Sequence, residues 1–117
     1  LQCMGPKAVD VRNSVVIGRT NMPSVACLEG VISYSLVDGG DMQGDNNMVG
    51  TSADLKTWFE TPVSGLFRVK AVVNDAPSPI AEVAMWMDGD PAADYDGDPR
   101  PASNGSPDFP GADVPAP

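Results

Sequence analysis

The chain has 117 residues, 42% of them hydrophobic, which is enough for one domain with a packed core. Its 16 acidic residues against 7 basic ones give a net charge of -9, which repels phosphate backbones and anionic lipid heads and argues against a nucleic-acid partner. No apolar run approaches the roughly 18 residues of a membrane-spanning helix, and the absence of histidine removes Ser-His and Cys-His nucleophile pairs.

Glycine and proline number 12 each, well above average usage, so the chain is cut into short segments that suit strands better than long helices. The N-terminal stretch holds one of the two cysteines, Cys3; the other is Cys27. They are candidates for a single disulfide, with a pair of free thiols as the alternative. Leu1, Gln2 and Cys3 also resemble the end of a bacterial lipoprotein signal, which would make Cys3 a lipid anchor. Two cysteines without histidine do not make a zinc site.

Residues 8–17, AVDVRNSVVI, are β-branched and alternate early at Val9 and Val11, a strand pattern. Residues 25–37 place Ile32, Tyr34 and Leu36 on one face and Ser33 and Ser35 on the other. Residues 38–47, DGGDMQGDNN, read as a loop, whose Asp38, Asp41 and Asp45 form a minor calcium candidate. Residues 54–60, DLKTWFE, read as a further strand, and residues 52–60 also admit a short helix capped at Ser52. In residues 66–73, LFRVKAVV, the side chains of Phe67, Val69, Ala71 and Val73 share one face and Arg68 and Lys70 the other. Residues 80–87, IAEVAMWM, offer a last strand with Val83, Met85 and Met87 on one side.

From residue 88 the composition changes. Residues 88–117 hold seven aspartates, seven prolines, one arginine and few large apolar groups, which predicts an extended or disordered acidic tail behind a β domain of residues 1–87. Within it, Asp88, Asp90, Asp94, Asp96 and Asp98 alternate around a glycine, the oxygen-rich pattern a calcium loop needs. Calcium is the one cofactor the sequence suggests. No Glu closes the loop at its twelfth position, and a solvated acidic segment is the plain alternative.

The expected fold is all-β: a small antiparallel sandwich, with an immunoglobulin-like texture around SGLFRVKAVV that names no family. Adjacent Trp58 and Phe59, and Trp86 between Met85 and Met87, put large apolar groups on both faces of their strands and mark candidate interface anchors. No internal repeat is evident. With few catalytic groups, the expected function is a non-enzymatic subunit of an extracellular, cell-surface or virion assembly, a filament subunit or capsid decoration protein. It would associate with itself or with other subunits through apolar strand faces and the tail. The alternative is a secreted adhesive or carbohydrate-binding module with a calcium loop.

Overall fold

A computed structural model describes residues 9–17, 30–38, 44–61 and 66–116. Cys3 and Cys27, Asp41, and the turn at 62–65 lie outside the described residues. Eleven short strands and one helix occur among them, so the class is all-β.

Two strand–bend–strand units and the half of a third stack in parallel. The first coil is β1 (Val9–Arg12) and β2 (Val15–Val16); the second is β3 (Gly30–Ser33) and β4 (Leu36–Val37); the third contributes β5 (Met48–Val49). β1 pairs with β3, and β2, β4 and β5 pair in that order, all parallel. The register sets Val11 beside Ile32, Val15 beside Leu36 and Met48, and Val16 beside Val37 and Val49.

The bends have one cause. Asn13, Tyr34 and Asn46 occupy the same register position and all take left-handed backbone conformations, with φ of 54°, 52° and 60°. Asparagine reaches this region more readily than most residues; tyrosine does so against its preference. One left-handed residue turns the strand and resets which face the following side chains meet. Ser35, expected outward, is fully buried in the corner as a result. There Ser14 N–H donates to Ser35 Oγ at 3.1 Å, and Ser35 N–H donates to Asn47 Oδ1 at 3.1 Å. The corner amides of the first two coils are thus each satisfied by a side chain of the next coil. The coils also approach closely: a Cβ on Gly44 would stand 2.0 Å from the Ile32 carbonyl oxygen, which excludes any larger residue there.

The corner divides the apolar side chains into two clusters. Ile32 and Val37, with Val11 and Val16, fill one. In the other, Val15, Leu36 and Met48 face Trp58, Phe59, Val69 and Ile80. The helix α1 (Ser52–Trp58) brings Trp58 there. Its cap is Thr51, one residue before the expected Ser52: Asp54 N–H donates to Thr51 Oγ1 and Thr51 N–H to the Asp54 carboxylate. Phe59 stops the helix in an extended conformation and opens β6 (Phe59–Thr61).

The rest of the chain is antiparallel. β6 pairs with β7 (Leu66–Val69), β8 (Val72–Val73) with β9 (Ala76–Pro77), and β10 (Ala84–Trp86) with β11 (Ser106–Asp108). The expectation of antiparallel pairing therefore holds for this half only. Two expected faces are also revised. The β6–β7 pairing shifts register between Phe59–Val69 and Thr61–Leu66, so Val69 is buried while Phe67 is exposed, and β7 ends at Val69, which leaves Ala71 outside it and exposed. Around β10 the inward residues are Ala84 and Trp86, and Met85 and Met87 are half-buried.

The expected boundary at residue 87 is crossed by the β10–β11 pair. Residues 88–116 are not an extended tail: Asp108, Pro110 and Val114 are buried. Hydrophobicity alone would not order this segment; carboxylate, amide and guanidinium groups bonded to backbone do.

Candidate functional site

The segment from 85 to 113 lies against the outer edge of the first coil, and the two enclose a cleft of about 450 Å³. The direction of approach follows from the peptide plane. Ser14 N–H points to the second coil, so across a trans peptide the Asn13 carbonyl points away from it. Gly111 N–H donates to that carbonyl at 2.8 Å. The Asn13 side chain pairs with the backbone of Met85 on both sides, accepting from its N–H at 3.1 Å and donating to its carbonyl at 2.8 Å. A Cβ on Gly111, at φ 98°, would sit 3.2 Å from the Val15 side chain.

Charged groups complete the contact. The Asp90 carboxylate pairs with Arg12 and accepts from Asn13 Nδ2 at 3.2 Å and from Met87 N–H at 2.9 Å. Behind it, Arg100 and Asp108 form a buried ion pair at 2.6 Å. Arg100 also donates to the carbonyls of Gly111 and Phe109, at 2.7 and 3.3 Å.

The five aspartates of the calcium pattern are placed in separate roles. Asp94 sits inside a tight turn, and its oxygens accept from the N–H groups of Asp96, Asp98 and Val114 at 2.9, 2.8 and 3.0 Å. Burial pushes its carboxyl up, but these amides and that of Gly97 outweigh it and hold the group below the usual carboxylate range. Asp90 faces Arg12, Asp96 pairs with Arg68 at 2.8 Å, and Asp88 is exposed. Among the described residues no three acidic or thiol side chains converge as metal ligands.

Asp113 sits nearby in the opposite condition. Its Oδ2 accepts from Val69 N–H at 2.6 Å, yet burial, with help from Asp94 and Asp96, pushes its carboxyl up against the pull of that amide and of Arg68. It lies at one end of an apolar groove of about 290 Å³ between Val15, Leu55, Phe67 and Ala112.

The aromatic anchors expected at an interface are internal. Trp58, Phe59 and Trp86 are buried, with Trp86 Nε1 donating to the Pro91 carbonyl at 3.0 Å. Trp58 and Phe59 pack against Leu36, Val69 and Ile80, with Phe109 from the expected tail at the margin of the cluster. The exposed large apolar residues among those described are Val31, Val49, Phe67, Val72 and Tyr95, the last on the rim of the cleft.

The decisive feature missed in the sequence is the repeat. Asn13-Ser14-Val15-Val16, Tyr34-Ser35-Leu36-Val37 and Asn46-Asn47-Met48-Val49 share one pattern of bend, corner polar group and two apolar residues. Unequal spacing hides it. No helix among the described residues is long and apolar enough to cross a membrane. No protein-family model, no curated protein and no solved structure matches the chain.

Proposed function

We infer that the chain is a non-enzymatic structural module of an extracellular, cell-surface or virion assembly, associating by its strand edges. The observation that carries this is the outer edge of the third coil. Met48 and Gly50 N–H groups bond to the second coil, so the backbone groups of Val49 between them point outward. The Val49 side chain is 59% exposed. A strand edge of this kind is a template for another strand. Two copies meeting through it form an antiparallel pair with two-fold symmetry, the commonest closed arrangement. The earlier expectation of association through apolar faces gives way to this, since those faces lie inside.

Sedimentation velocity across a concentration series tests the reading. The chain should be dimeric, and Val49→Pro should remove the outward N–H while leaving both bonds to the second coil intact. Each edge hydrogen bond contributes about 0.5–1.5 kcal/mol net. The loss of the pair related by symmetry should therefore weaken association by about tenfold or more. Unchanged association of Val49→Pro would sink the edge as the contact.

A second reading, a carbohydrate-binding adhesive module, has Tyr95 in its favour: the ring is 87% exposed beside the cleft, where a sugar could stack on it.

A further inference from the structure

The two edges of the parallel stack match each other, but among the described residues only the first-coil edge is covered by another part of the chain. On the first coil, Ser14 and Val16 carbonyls accept from the second coil, so Val15 presents its backbone groups to the outside, as Val49 does at the other end. Along the corner column, Ser14 N–H bonds to Ser35 and Ser35 N–H to Asn47, while Asn47 N–H finds no acceptor among the described residues. Ser14 Oγ donates to the Arg12 carbonyl just as Ser35 Oγ donates to that of Ser33, but among the described residues no amide donates to Ser14 Oγ as Ser14 N–H does to Ser35 Oγ. A charged column runs beside it: Arg12 pairs in register with Ser33, and Ser33 falls level with Asp45. A second copy stacked with its first coil on this third coil would set its Arg12 beside Asp45 and its Ser14 over the Asn47 amide.

The geometry points to residues 85–113 as a cap that occupies the first-coil edge in place of the third coil of another copy. Asp90 holds Arg12 where an incoming Asp45 would, the Asn13 side chain is taken by the Met85 backbone, and Gly111 fills the outward Asn13 carbonyl. With the cap seated, association stops at the edge pair proposed above; the inference rests on that reading only in taking the third-coil edge as a template for another strand. With it displaced, coil stacks on coil head to tail, and a head-to-tail contact that does not close on itself grows into a filament.

The test is sedimentation velocity and electron microscopy of the full chain carrying Asn13→Gly or Asp90→Ala. Asn13→Gly deletes the pairing with Met85 while keeping the left-handed bend accessible. Asp90→Ala keeps Asn13 and its pairing with Met85 and takes the carboxylate away from Arg12, which retains only a 3.4 Å bond to the Met85 carbonyl. Circular dichroism matching that of the unaltered chain establishes that each variant folds. Both variants should form species beyond the dimer that lengthen with concentration, and Asp45→Arg added to Asp90→Ala should stop that growth. Further addition of Arg12→Asp, which restores the opposite pair, should recover it. Folded variants that remain dimers overturn the cap and leave the edge dimer standing. A monomeric unaltered chain whose cap variants polymerise upholds the cap and removes the dimer instead.

Discussion

The parallel stack and the C-terminal segment are ordered by different means. In the stack, residues of one kind repeat in columns: Val15, Leu36 and Met48 fill one cluster, and Val16 lies beside Val37. Burial of such groups stabilises at roughly 25 cal/mol per Å² without regard to direction. In residues 88–116 few side chains are large and apolar, and order comes from carboxylates, an amide and a guanidinium bonded to backbone groups. Such bonds are directional, and a buried polar group left unpaired costs more than a made bond contributes. The first region should therefore yield gradually to substitution and the second sharply.

The largest effect should come from Arg100→Met. It removes three bonds at once and leaves Asp108 buried without its partner. Breaking a buried pair from one side costs about 3–5 kcal/mol. Denaturant unfolding should record that loss, and hydrogen exchange should place it first at the amides of Ser106 and Gly111. Equal loss of protection across the stack would show that the two regions share one unit of order.

Ser35→Ala should be smaller. It strips the corner acceptor of Ser14 N–H and costs about 1–3 kcal/mol. A change below a few tenths would mean that water replaces the serine.

The smallest effects separate two carboxylates. Asp94 lies below its usual range, so its contribution is present above about pH 4 and is lost as pH falls through its lowered value. Asp113 lies above its usual range, so its ionisation subtracts stability as pH rises through that raised value. At pH 7, Asp94→Asn should lower the melting temperature, because an amide offers one acceptor where three N–H groups converge. Asp113→Asn should hold or raise it, since the amide oxygen still accepts from Val69 and no charge is buried. Melting curves from pH 3 to pH 7 check both signs.

Much of the architecture was legible in the chain. Val9 and Val11 announced a strand because burial alternates locally there; residues 54–60 read as a strand first, and the helix over Ser52–Trp58 was only the alternative, because its capping box starts at Thr51. Period-two reasoning failed at Tyr34 because a left-handed residue resets the face, and no propensity favours tyrosine in that role. It failed at Phe67 because the β6–β7 ladder shifts register there, which alternation alone does not reveal. Composition misjudged residues 88–116 because it counts aspartates without counting the amides around them: Asp94 and Asp108 read as solvated charges and are structural acceptors. The candidate edge at Val49 was not legible, since its meaning depends on which neighbour pairs with Met48 and Gly50.

The unequal spacing of the bends at 13, 34 and 46 carries a practical consequence. Neighbouring coils are held about 4.8 Å apart, whatever length of chain joins them. A connection leaving one coil and entering the next therefore has fixed ends, and doubling a flexible one costs only about 0.6 kcal/mol. The column of left-handed residues, rather than the length of chain between them, is therefore what sets the stack, so Asn13, Tyr34 and Asn46 are the positions at which a substitution should disturb all coils together.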